Sequence, residues 1–308
     1  MIDLDHDDVD AAFAESVSRL CQDRLDPDSG PAPQWSPGWW QAAGDLGLLA
    51  LNTPDGGGSA TTIAAAMEAL GRANAPGPFV ETFIATSLLE GGELDAVVSG
   101  SEVVAIMTGD VVPWLPVAAA VIEIDGTRAH LSTVNGEVHS IESLAGEPWG
   151  RADLTRTDEL GDASAALALG DVAAAAYLVG EAQHLLASAA AYAADRIQFR
   201  VPIGSFQAVA HPLATCHVRL SAARTLSRMA AHSIAVADSA ALASAATARR
   251  SATKAALETA FQVHQTYGAM GFTVEGPIAN RSAKIRQTSL AGQPTGGATD
   301  LILKQRGL

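Results

Sequence analysis

Aromatic residues make up only 5% of this chain, cysteine occurs twice in 308 residues, and basic residues are scarce over most of its length. Each scarcity excludes something. With so few rings, the core must be Ala, Leu, Val and Ile, which suits closely packed helices. Cys21 and Cys216 cannot make a disulfide framework or a cysteine metal site, and read as buried thiols. No run reads as the ~18 uncharged apolar residues that a membrane span needs. The stretch Met1-Ile2-Asp3-Leu4-Asp5-His6-Asp7-Asp8 is acidic and unlike a signal peptide, so a cytoplasmic protein is expected.

What is present is an apolar content of 48% with 17% charged residues, a globular composition with enough chain for one large domain or two to three small ones. The net charge of −15 conceals a split. Residues 196–308 carry 13 Lys/Arg against four acids, Asp238, Glu258, Glu275 and Asp300; residues 1–195 carry six against 30. A basic third of this kind suits phosphate groups or an acidic partner subunit. Nucleic acid ranks last, because the charges are spread over apolar helices with no recognition motif or interleaved aromatics.

Val9, Phe13, Val17 and Leu20 recur at steps of three and four and predict one apolar face of a helix over 7–25. A short helix ending near Gly47, a helix over Thr61–Arg72 and another over Phe79–Leu89 follow. The Gly-rich stretch Asp55-Gly56-Gly57-Gly58-Ser59 lacks the Lys-Ser/Thr of a phosphate loop and reads as a turn. Residues 1–98 thus read as a helical domain. From Val103 the runs turn β-rich, with Asp125-Gly126 and Asn135-Gly136 as hairpin signals. This small β module occupies 99–160. From Ser164 to Phe199 the chain reads as almost continuous helix, and Phe206–Leu220 and Ala240–Tyr267 add two more, so 161–308 is an antiparallel helical bundle.

Two motifs stand out in the bundle. The first is Arg196-Ile197-Gln198-Phe199-Arg200-Val201-Pro202-Ile203-Gly204-Ser205-Phe206-Gln207, running on to His211. A guanidinium, an amide and a ring precede a break at Pro202 and Gly204, and Ser205 is placed to cap the next helix. The bland alternative is a helix–turn–helix corner with a surface arginine. The second is Gln262-Val263-His264-Gln265-Thr266-Tyr267-Gly268-Ala269-Met270-Gly271-Phe272-Thr273-Val274-Glu275, where Gly268 and Gly271 would end a helix and bring backbone N–H groups near an anion. Its bland alternative is an ordinary glycine-rich helix end.

The pattern R-x-Q-F-x-x-P-I-G-x-F-Q, followed about 65 residues later by H-Q-x-Y-G-A-x-G-F-T-x-E, resembles the C-terminal domain of the acyl-CoA dehydrogenases. The resemblance implies a mainly α fold with a small β module: an N-terminal helical domain, a reduced middle β-domain and a C-terminal four-helix bundle. It implies that Arg196, Gln198, Phe199, Gln265, Gly268 and Ala269 meet FAD across a subunit interface. Two departures are visible, Arg200 where the family usually has Gly, and Tyr267 where the similar variant has a second His. The flavin-holding segments of the family's β-domain have no match.

The family's reaction needs a carboxylate to take the α-proton of an acyl-CoA. At the two positions where the resemblance places it, this chain has Ser289-Leu290-Ala291-Gly292 and Gly170; Asp171 and Asp300 are the remaining candidates. Glu275 reads as solvated or helix-capping, His211 as a buried structural residue, and Arg281, Lys284, Arg286 and Lys304 as surface or interface charges. The chain therefore resembles the shorter subunits of the heteromeric α2β2 acyl-CoA dehydrogenases of bacterial steroid catabolism, in which a longer homologue completes the active site. Two alternatives remain: a self-sufficient homo-oligomeric dehydrogenase with an unusual Asp base, or a flavin-free structural partner.

Overall fold

Alanine on helix faces lets backbones approach, and glycine takes them closer still. The computed structural model describes residues 7–25, 33–273 and 278–291. Five helices come first: α1 (Asp8–Leu25), α2 (Pro37–Asp45), α3 (Ala60–Arg72), α4 (Phe79–Thr86) and α5 (Gly91–Val98). Ser36 caps α2 by accepting from the Trp39 N–H at 3.2 Å, and Ser59 and Thr62 close a reciprocal capping box on α3. The Asp55–Ser59 stretch is thus the lead-in to a helix. On α1 the buried apolar residues are Val17 and Cys21; Val9 lies in solvent, because the face the first turn gives to α3 is that of the buried Asp10, which accepts from the Thr62 hydroxyl at 2.6 Å.

The sheet holds β1 (Val104–Met107), β2 (Val112–Pro113), β3 (Ala120–Asp125), β4 (Arg128–Ile141) and β5 (Trp149–Asp162), in the order β1-β3-β4-β5-β2 with only β1 and β3 parallel. Asp125-Gly126 does turn a hairpin, with Asp125 opposite Arg128. Asn135-Gly136 does not. It sits inside β4, where the register with β5 jumps from Asn135 to His139, so the left-handed Gly136 serves a bulge and not a turn.

The bundle consists of α6 (Ser164–Asp195), α7 (Gln207–Ala235), α8 (Ala241–Tyr267) and α9 (Ala279–Leu290). Between α6 and α7 lies a miniature hairpin, β6 (Ile197–Gln198) with β7 (Val201–Pro202). Helix α6 is the central member, packed against α3, α7, α8 and α9. By length and composition it could cross a membrane, contrary to the sequence expectation, yet nearly all of its apolar stretch is buried in the protein. Its tightest contact is with α3: a Cβ on Gly180 would come within 2.1 Å of the Glu68 carbonyl oxygen, and one on Gly71 within 2.0 Å of that of Tyr177. Only glycine permits such a crossing.

Buried ion pairs tie the helices laterally. Glu68 on α3 accepts from Arg224 at 2.8 Å and Arg228 at 3.2 Å on α7, and Glu181 on α6 accepts from Arg281 on α9 at 3.1 Å. Arg281 and Lys284 are therefore not surface charges; both are buried against carboxylates from other elements. Cys21 and Cys216 are buried free thiols, as expected, and burial pushes Cys21 up to about 12.

Candidate functional site

Two places in the fold concern chemistry, and they lie at opposite ends of α6. Asp171 and Asp195 are 24 residues apart on that helix, about 36 Å at 1.5 Å per residue.

At the C-terminal end the two motifs come together. Helices α6 and α8 lie side by side, and the Tyr192 and Tyr267 rings stack at 4.3 Å with 14° between planes. Tyr267 also donates its hydroxyl proton to the Ser188 carbonyl at 3.2 Å. This gives Tyr267 a structural reason to stand where the sequence pattern differs from its relatives. The helix then ends at Gly268, whose φ of +61° is free to glycine. Arg196, Gln198, Gln265, Gly268 and Ala269 are all exposed at this end, and among the described residues the Arg196, Gln198 and Gln265 side chains have no hydrogen-bond partner.

The hairpin that carries Arg196 turns in two residues, Phe199 and Arg200, with φ of +53° and +72°. Both angles belong to the left-handed region, as in the tight turns that favour Asn-Gly. A non-glycine residue there costs roughly 1–2 kcal/mol. Arg196 ends α6 with an extended backbone and leads into β6, so alternation puts it with Gln198 on one face and Ile197 on the other. Phe199 is 87% exposed and leans edge-on against Phe206 at 6.1 Å; Phe261 and Phe272 are likewise 71% and 76% exposed. Ser205 does not cap α7, because its hydroxyl turns back to donate to the Pro202 carbonyl at 2.7 Å. His211 is exposed and not a core residue, since it lies on the outer side of α7.

At the other end of α6 a cleft runs between the sheet, α4, α6, α8 and α9. Gly170, Asp171, Thr288 and Ala291 line it, so both positions at which the resemblance looked for a base face the same space. Asp171 is 8% exposed, and burial raises its carboxyl to about 6 against a partial offset from Arg249. Glu81 lines the cleft too and is raised to about 7, again chiefly by burial. Arg249, 4% exposed, anchors Nη2 on the Thr288 carbonyl at 2.5 Å and leaves Nε and Nη1 without a partner.

The β4–β5 loop forms one wall of the cleft. Glu147 at its end accepts from Lys284 and from the Gln287 amide, and the Ala145 N–H donates to Gln287 Oε1 at 2.8 Å. Lys284 also stands 5.4 Å above the Tyr177 ring. What remains inside is a cavity of about 80 Å³. Pockets that hold a cofactor or drug-sized ligand run to roughly 300–1,000 Å³, so the cleft in this form does not fit a flavin. The exposed end of α6 and α8 does fit part of one: it offers unpartnered donors suited to phosphate oxygens and an exposed ring beside them.

Sequence reasoning missed Glu81, Glu147 and Arg249. For Arg249 a signal existed: it falls on the stripe Ala245, Ala252, Ala256 that α8 buries, an odd place for a guanidinium. Asp300, Glu275 and Lys304 lie outside the described residues. No group of three metal-ligating side chains occurs among the described residues.

Comparison with known proteins gives the architecture a family. Residues 160–304 match the acyl-CoA dehydrogenase C-terminal domain. The acyl-CoA dehydrogenase IpdE2 of Mycolicibacterium smegmatis is 29% identical over 299 residues, covering 86% of this chain and 88% of that protein. A chain of the ChsE4–ChsE5 complex from Mycobacterium tuberculosis superposes with a TM-score of 0.82 at 23% identity, over 99% of this chain and 98% of that one. The IpdE2 of Mycobacterium tuberculosis is 30% identical over 267 residues, 77% of this chain and 76% of that protein, and the chain belongs to the acyl-CoA dehydrogenase family.

Proposed function

We propose that this protein is one subunit of a heteromeric, FAD-dependent acyl-CoA dehydrogenase that introduces an α,β double bond into a CoA thioester. A longer homologue is its partner, and the catalytic carboxylate belongs to that partner. The observation that carries this reading is the separation along α6: phosphate-suited donors stand exposed at one end, about 36 Å from a narrow cleft that has Gly170 and Ala291 where a base is sought.

In this reading Arg196 and Gln198 grip the dinucleotide's pyrophosphate from outside, Gln265 adds a neutral hydrogen bond, and Phe199 packs beside the cofactor. Gly268 and Ala269 let the backbone approach. FAD, when bound, supplies the hydride acceptor; this chain's residues hold and orient it. The exposed Phe199, Phe261 and Phe272 supply the apolar contact that a subunit interface buries. The relatives IpdE2 support an acyl-CoA dehydrogenase, and the two-protein name of the ChsE4–ChsE5 complex supports a mixed assembly. A steroid-derived acyl group is the substrate class we favour.

One observation favours a second reading. Asp171 lines the cleft with a carboxyl raised to about 6, which is how a buried general base is tuned. In that reading the chain is a self-sufficient enzyme whose β4–β5 loop moves to admit substrate. Turnover of the Asp171→Asn variant, assembled with its partner and assayed with a CoA thioester and an electron acceptor, separates the two. Activity within a few-fold of wild type is expected. A loss of several orders of magnitude with flavin retained would make this chain the catalytic subunit.

A further inference from the structure

The hairpin tip poses an electrostatic question. Arg196 sits at the C-terminus of α6, next to the exposed Asp195, with the C-terminus of α8 alongside. Helix C-termini carry about half a negative charge each, so a phosphate approaching this end meets Asp195 and two rows of carbonyls. Arg196 alone offsets only about half of that charge. Arg200 is four residues on, at most about 14 Å along the chain, exposed and without a hydrogen-bond partner among the described residues. It occupies a φ of +72°, where a glycine would sit without strain. Strain held at an exposed turn points to a role for the side chain that holds it.

We infer that Arg200 is a second phosphate-binding guanidinium, reaching from the strained turn to a phosphate held by the neighbouring subunit, in addition to Arg196. This rests on the reading above that the α6–α8 end faces a partner's nucleotide. The phosphate belongs either to the dinucleotide cofactor or to the CoA portion of the substrate, and the chemistry of recognition is the same for both.

The test turns on opposite signs. In the isolated chain Arg200→Gly relieves the turn, and the melting temperature should rise by about 1–2 °C. In the assembled complex the same change should weaken phosphate binding by about tenfold or more. Arg200→Asn, which tolerates a positive φ but has no charge, should behave like the glycine variant in the complex. Two readouts assign the phosphate: the flavin released on dialysis, and the ratio of KM for the CoA thioester to that for its analogue lacking the 3′-phosphate. Flavin loss with an unchanged ratio assigns the dinucleotide; retained flavin with a collapsed ratio assigns CoA. Unchanged flavin and an unchanged ratio in both variants would overturn the proposal, as would a lowered melting temperature in the glycine variant. Arg196→Ala, run beside them, keeps the failures apart: if that variant also keeps its flavin, it is the orientation of this end towards a nucleotide that fails.

Discussion

Asp171→Asn should make the protein more stable at alkaline pH, and the amount can be worked out. The carboxyl is nearly buried and its folded value is about 6, against 3.8 in an unfolded chain. A raised acid is easier to protonate in the folded state, so its ionisation opposes folding. The cost is absent below 3.8, grows through the window up to 6, and is complete above it. The difference of about two units corresponds to roughly 3 kcal/mol at pH 8, and integration over the window leaves roughly 1 kcal/mol at pH 4.5. Asparagine is neutral and nearly the shape of the protonated acid, so the variant escapes the cost. Arg249 works the other way, since the variant removes the attraction between it and Asp171, but that attraction is already contained in the folded value. Urea unfolding at pH 4.5 and pH 8 measures the effect: the gain of the variant over wild type should widen by about 2 kcal/mol between the two. A variant less stable than wild type at pH 8 would show that the Arg249–Asp171 attraction outweighs burial.

Three further changes test other parts. Lys284→Met leaves the nearly buried Glu147 carboxylate with no cation and only the Gln287 amide, and should cost about 3–5 kcal/mol, with faster amide exchange in residues 142–148 by mass spectrometry. Glu68→Ala leaves the buried Arg228 guanidinium without its carboxylate and should cost a similar amount, about 3–5 kcal/mol by denaturant titration. Arg196→Ala in the assembled complex should lose flavin on gel filtration, since truncating a desolvated charge contact costs about 2–5 kcal/mol; Gln265→Ala should do the same more weakly, by about 0.5–1.5 kcal/mol.

The long elements were legible because their side chains repeat. Leu178 and Leu185 recur at seven residues and are both buried on α6, and Gly268 ends α8 where a glycine was expected to. Strand β5 was not legible. From Arg151 to Glu159 its residues are mostly polar and exposed, and over 155–159 side chains on both faces of the strand look into solvent, so no apolar run marks it. The resemblance implied that Arg196 and Gln265 share a site; the helix ends that carry them are brought together by the Tyr192–Tyr267 stack, which no local pattern encodes. The charged lining of the cleft was hidden for a similar reason. Glu147 comes from a loop, Lys284 from α9 and Arg249 from α8, and each reads as a surface charge until the chain brings its partner. The bulge at Asn135-Gly136 shows the limit of a dipeptide signal: the left-handed glycine was there, but pairing continued past it.

The central claim is that this chain holds a flavin for another subunit and has none of its own. The direct measurement is the flavin content of the purified chain, alone and after assembly with the longer homologue, by absorbance after gel filtration. A colourless chain alone, and a yellow complex with one flavin per partner chain, is the predicted result. A yellow, catalytically active protein made of this chain alone would contradict it.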